Sequence, residues 1–260
     1  MNKMAVCISI EAKKLFRSKI PLITMAVLTL IPFIGGFFMF ILKDPSLAES
    51  LGFISAKAQL MGTADWSSYL SLLSQAIAIG GLFAFGFITS WIFGREYSDR
   101  TIRDLLALPV SRGIIIISKF IVMILWCLFL SAFVLILGLI VGNMVDIPGM
   151  SSALLMDGIK VYMICSLLTI LLSTPVGFFA SYGRGYLSPL GFIVITLILA
   201  QIVATTGYGE FFPWSIPAII GIGIGNGEPM VSGISIAIVF LTSILGLVST
   251  MLWWRYADQN

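Results

Sequence analysis

The side chains able to do chemistry are concentrated in one stretch, residues 94–119, GREYSDRTIRDLLALPVSRGIIIISK. Arg95, Glu96, Asp99, Arg100, Arg103, Asp104, Arg112 and Lys119 all fall there, in a chain that is only 10% charged. Charges of both signs set beside apolar residues suit docking and orientation rather than bond-making. Catalysis lacks its usual groups. The chain has no histidine, which removes Ser–His nucleophiles, His-containing zinc sites and histidine proton relays. Its three cysteines, Cys7, Cys127 and Cys165, are scattered without metal-ligand spacing. No catalytic residue and no metal site is expected. The phosphate-binding pattern G-x-x-x-x-G-K-S/T does not occur, so the sequence carries no ATP site of its own. The run GIGIGNG at 221–227 lacks the spacing of a dinucleotide loop.

Within the charged stretch, Thr101-Ile102-Arg103-Asp104 reads as a variant capping box, with a hydroxyl at the helix start and a carboxylate three positions on. Ile102, Leu105 and Leu106 stand at i, i+3, i+4 and share one face, while Arg100, Arg103 and Asp104 point elsewhere. Pro109 disfavours helical geometry at Leu108 and ends the helix there. The pattern predicts a helix of about two turns with an apolar side and a charged side. It fits a surface that docks on something outside a bilayer, with Glu96, Arg100 and Arg103 as rim charges. An ordinary basic loop that only sets membrane orientation fits the same residues.

The elements around that stretch are membrane spans. The chain of 260 residues is 59% hydrophobic with a mean hydropathy of +1.07, outside the range of water-soluble domains. Six apolar runs, at 20–42, 69–93, 113–141, 159–180, 186–206 and 232–254, are long enough to cross. Residues 1–19 read as an amphipathic interfacial helix, with Met4, Ile8, Ala12, Leu15 and Phe16 on one side and Lys13, Lys14 and Arg17 on the other. Twelve of the fifteen basic residues lie in the N-terminal segment, the 95–119 stretch, Arg184 and Arg255. The basic excess places those segments and both termini in the cytoplasm. The loop 43–68 then lies outside as a small polar cap.

No ionisable residue lies near a span centre, which argues against coupling to protons or sodium. Gln75 and Gln201 are the amides within the spans, and with Ser71 they mark a candidate polar belt toward the outer ends. Packing hydrogen bonds between helices fit them as well. Ser173-Thr174-Pro175 predicts a kink in the fourth span. The segment 207–231 contains Pro213, Trp214 and Pro217 and an apolar stretch too short to cross, which reads as a re-entrant or interfacial hairpin on the outer face.

The motif R-E-Y-x-x-x-T-I-x-x-L-L-x-L-P-V-S-R followed by an apolar run resembles the cytoplasmic loop of type-2 ABC (ABC-2) exporter permeases. The spacing of the spans extends that resemblance over most of the chain. It implies an all-α, polytopic fold with a single transmembrane domain at 1–260. That domain would hold an interfacial helix at 1–19, a coupling loop at 95–112 and an outer hairpin at 207–231. It also implies that Glu96, Arg100, Thr101, Ile102, Arg103, Leu105, Leu106 and Pro109 meet a separate ATPase, present in two copies. ATP and magnesium would sit on that partner, with no cofactor on this chain. Ser71, Gln75 and Gln201 would line the path, and Pro213, Trp214 and Pro217 the outer gate. A second permease subunit, identical or related, would complete the path in the plasma membrane, and nucleic acid has no part. The compact size resembles permeases of the bacitracin-resistance and lantibiotic-immunity kind. Ion extrusion, metal-cluster maturation and a non-transporting assembly role remain open on the residues.

Overall fold

The computed structural model describes residues 3–44, 63–107, 109–224 and 232–256, without the side chain of Leu106. The described chain is helical, and no strand occurs among the described residues. Six of its helical segments are long and apolar enough to cross a membrane. Most of the expected cap at 43–68 and the end of the 207–231 segment lie outside the described residues.

The first helix, α1 (Lys3–Phe16), forms from the amphipathic pattern, and Lys13 and Lys14 in its last turn oppose the negative end of its dipole. A tight turn at Ser18 closes it. The Ser18 hydroxyl donates to the Leu15 carbonyl at 2.6 Å and accepts from the Ile20 amide at 3.2 Å. Pro21 then sits in the first turn of α2 (Ile20–Lys43), where its missing N–H costs nothing.

The centre of the bundle is α3 (Trp66–Ser98), whose buried residues are spread around its whole circumference, the pattern of a helix enclosed by others. Asp65 caps its start, accepting from the Ser68 amide at 2.7 Å. Its 33 residues would reach about 50 Å at ~1.5 Å per residue, longer than a ~30 Å hydrocarbon core. The same holds for α5 (Arg112–Met144), also 33 residues. These two long helices therefore project past the apolar layer, and between them lies the short α4 (Ile102–Leu106).

The fourth span is broken, as the Ser-Thr-Pro run predicts. Helix α6 (Ser152–Leu172) gives way to α7 (Thr174–Tyr182) at Ser173. Hydroxyls take up carbonyls around the break: Ser173 donates to the Ile170 carbonyl at 2.6 Å, and Thr174 Oγ1 lies 3.0 Å from the Ser243 carbonyl. Ser243 belongs to the last helix, α10 (Gly233–Tyr256). Gly246 of α10 meets the break so closely that a Cβ there would lie 2.6 Å from the Pro175 nitrogen.

Helix α8 (Leu187–Ala204) is the fifth span and is largely exposed along its length. Beyond it a single 3-10 turn at Gly209–Phe211 leads to α9 (Ile216–Ile222), which packs on α3 and α6. Gly221 lets α9 touch the α3 backbone, since a Cβ there would stand 3.1 Å from the Gln75 nitrogen.

Candidate coupling site

Where α3 ends, the chain must reverse sharply to start α4. The Thr101 amide donates to the Glu96 carbonyl at 2.9 Å and the Arg100 amide to the Tyr97 carbonyl at 3.2 Å. This is a Schellman closure with Arg100 in the left-handed position, φ +57°, where glycine is the usual residue. The strain is about 1–2 kcal/mol for a residue with a Cβ. It is accepted at the one turn that aims α4.

Helix α4 is a five-residue element, shorter than the two turns expected, and the capping box does not form, because Thr101 makes no side-chain cap hydrogen bond. Ile102 is turned inward, 8% exposed, and joins the main core. Leu105 is half-buried and packs against the same core. The apolar face expected to meet a partner is thus used to hold α4 to its own bundle, since an apolar face beside a larger apolar core is buried there first. What α4 shows to its surroundings is Arg103 and Asp104, flanked by Arg100, Thr101 and Pro109, all exposed. The side chain of Leu106 lies outside the described positions.

Glu96 also corrects the sequence reading. It is 3% exposed, not a rim charge, and it forms the middle of a buried ionic cluster. Lys119 of α5, fully enclosed, donates to Glu96 Oε1 at 2.8 Å, to Glu11 Oε2 at 3.0 Å and to the Ile92 carbonyl at 2.9 Å. All three ammonium protons thus have an acceptor. Lys14 of α1 donates to Glu11 Oε1 at 2.7 Å and to Glu96 Oε1 at 3.1 Å. Burial alone would push the Lys14 ammonium down, but Glu96 and Glu11 outweigh it and hold Lys14 above its ordinary 10.5. Two carboxylates and two ammonium groups balance, and Glu96 Oε2 remains buried without a hydrogen-bond partner.

The cluster locks three helices, α1, α3 and α5, one turn from the Arg100 reversal. A dense layer continues around it. Arg112 Nη1 donates to the Trp254 carbonyl at 2.7 Å, and Trp254 Nε1 to the Ser181 hydroxyl at 2.8 Å. Lys3 Nζ reaches the Pro109 carbonyl at 3.4 Å, tying the start of α1 to the loop after α4. None of these groups is placed as a nucleophile or general base. The arrangement can transmit a push on α4 into α3, α5 and α1.

Two signals in the sequence point to this cluster. Glu11 falls at the edge of the apolar face of α1, next to Met4 and Leu15 on a helical wheel. Lys119 stands inside the third apolar run rather than before it.

At the other end of the bundle, the belt residues separate. Gln75 donates to the Ser71 hydroxyl at 3.1 Å, and Ser71 donates to the Gly221 carbonyl of α9 at 2.8 Å. Gln201 is exposed on α8. Gln75 also edges a groove of about 400 Å³ between α2 and α3, lined otherwise by apolar residues such as Ile31, Phe38, Leu72 and Ile79. Pro217 is buried in α9, and its carbonyl lies 3.1 Å from Cys165 Sγ. Trp214 is half-buried, edge-on to Phe192 of α8 at 5.5 Å and packed on a small core of Leu82, Leu168, Leu172, Ile216 and Val239. Pro213 is half-buried beside it.

Six candidate spans, with a short helix joined to the core between the two longest of them, make a multi-pass membrane protein. The family model for ABC-2 family transporter proteins matches residues 7–202, and the chain belongs to that family. It is similar to the bacitracin transport permease protein BCRB of Bacillus licheniformis, 34% identical over 180 residues, which are 68% of this chain and 85% of that relative. No solved structure matches it significantly. It is a multi-pass protein of the cell membrane.

Proposed function

We propose that this permease is the membrane half of an ATP-driven exporter, powered by two copies of a separate ATPase and completed by a second permease subunit. The observation that carries the proposal is α4: a short helix clamped to its own bundle by Ile102 and Leu105, with Arg100, Arg103 and Asp104 facing away. A helix held this way moves with α3 and α5, so a partner gripping its charged edge moves the spans. The basic excess on the α4 end supports a cytoplasmic position for α4 and both termini, on the side where ATP is.

The cargo is an amphiphile that reaches the protein from the membrane, a peptide antibiotic being the favoured kind. The groove beside Gln75 supports this reading, because it is apolar, opens between two spans and offers one amide for orientation. The likeness to a bacitracin permease supports it too. The test is co-purification of the ATPase with the permease, together with ATP hydrolysis stimulated by candidate peptides. Undiminished ATPase capture by an Arg100→Glu, Arg103→Glu variant would remove α4 as the coupling element. Growth protection against a panel of membrane-active peptides, in cells with and without the permease, tests the cargo separately.

A further inference from the structure

A second site lies on the basic side of α1, beside the ionic cluster, with which it shares Lys14. A cavity of about 370 Å³ is lined by Ile10, Lys13, Lys14, Arg17, Ser18 and Arg95. Arg95 comes from the end of α3, so the cavity closes only when α1 docks. Its guanidinium is held on three sides: Nε pairs with Asp99 at 3.2 Å, Nη1 donates to the Lys14 carbonyl at 3.4 Å, and the plane lies 5.0 Å from the Trp91 ring centroid. The lining holds four basic side chains and no acid. The nearest acids are committed elsewhere, Glu11 and Glu96 to Lys14 and Lys119, and Asp99 to Arg95. Lys13 and Arg17 are exposed and leave the surroundings two charges positive.

We infer that this cavity binds a phosphate group, presented by an anionic phospholipid. A wall of ammonium and guanidinium donors calls for an acceptor-rich anion. The end of the α1 dipole opposes an anion here by about half a charge, which two net cations exceed. Depth argues for a lipid source. The apolar span α2 begins at Ile20, two residues past Ser18, so the cavity stands where hydrocarbon gives way to headgroups. Exposed Ile10 lines it, at 45% exposure, and suits an acyl chain. A bound phosphate would bridge Arg17 on α1 to Arg95 on α3, securing the seam that also holds Glu11 and Glu96. The inference does not depend on what is transported.

The test uses the full-length chain in phosphatidylcholine nanodiscs, with phosphatidylglycerol titrated in and bound lipid read by native mass spectrometry. The wild-type chain should retain phosphatidylglycerol over phosphatidylcholine. Lys13→Gln with Arg17→Gln should lower that apparent affinity roughly tenfold to thirtyfold, taking each basic residue near the surface at its usual worth. Both side chains are exposed, so folding should survive, and an Arg103→Gln control should bind as wild type. Glycerol phosphate added alone separates the sources. If it binds as tightly as the lipid, the site serves soluble phosphate esters. If it competes only weakly, the lipid is the ligand. Equal retention of the two lipids together with no binding of glycerol phosphate would overturn the site. So would unchanged affinity in the double variant.

Discussion

The ammonium of Lys119 lies 2.8 Å from Glu96 Oε1, with Lys119 wholly enclosed, and the two residues join the start of the third span to the end of the second. Glu11 and Lys14 bring the N-terminal helix into the same contact. The turn that carries α4 is therefore anchored electrostatically at its base and apolarly at its tip. A mount of this kind is what the proposed coupling role would require.

Breaking the pair should be costly. Lys119→Met leaves Glu11 and Glu96 with Lys14 alone, and a buried charge stripped of its partner costs about 3–5 kcal/mol. Thermal or denaturant unfolding in detergent should show a loss of that order. Adding Glu96→Gln to the same variant should restore most of it, because Glu11 and Lys14 then remain as one balanced pair. A double variant as unstable as the single one would assign the loss to packing instead.

Much of this was readable beforehand, and the reasons differ by feature. The six spans follow from apolar runs that no soluble fold could absorb, and each appears at its expected place, with α3 and α5 extended by about a turn or more and the fourth span starting at Ser152 rather than near 159. The break at Ser173 follows from proline chemistry, which is local. Glu96 and Ile102 were misread because burial is a tertiary property. A carboxylate in a charged loop looks available until Lys14 of α1 and Lys119 of α5 meet it, and so does an isoleucine on a short helix until it joins the core. The Arg100 reversal was hidden because glycine is the usual marker of that geometry and arginine occupies the place.

Arg100 separates two roles in one position. Arg100→Gly relieves a positive φ and should raise stability by about 1 kcal/mol. The same change removes a charge from the exposed edge of the turn proposed to meet the ATPase, so on that proposal stimulation of ATP hydrolysis should fall. Stability measured by unfolding and coupling measured by ATPase activity should move in opposite directions.

Arg103 should act through screened charge. It is exposed, so Arg103→Glu should weaken ATPase capture without unfolding the permease. Because the Debye length is about 10 Å near 0.1 M salt and ~3 Å near 1 M, the difference from wild type should shrink as salt rises. Leu105→Asp, in contrast, should destabilise the permease itself, since Leu105 packs on its own core.

Asp65 gives a dependence on pH. Burial pushes its carboxyl upward, but hydrogen bonds from Ser68 and Thr63 outweigh that and hold it below its ordinary 3.8. A lowered folded value means the cap is fully stabilising above the ordinary carboxylate range and is lost as pH falls through the folded value. Asp65→Ala should therefore cost about 1 kcal/mol at neutral pH. The gap between variant and wild type should close in strong acid, as read by unfolding at a series of pH values.

Gly246 should tolerate no side chain. A methyl there would lie 2.6 Å from the Pro175 nitrogen, a backbone atom that cannot rotate away. Gly246→Ala should force α10 off the α6–α7 break and cost about 1–3 kcal/mol, with Gly246→Val worse. Unfolding measurements on the two variants check the order.

The ionic cluster also bears on how the chain is made. Its members leave the ribosome in sequence, Glu11 and Lys14 first, then Glu96, and Lys119 last. Until the third span emerges, the two acids have one base between them, a site one negative charge out of balance. The N-terminal helix can therefore lie down on the membrane early, but its seat beside the second span becomes neutral only when Lys119 arrives. Emergence of the start of the third span is the step that neutralises this seat, and a chain stalled before it would keep an open, charged flank.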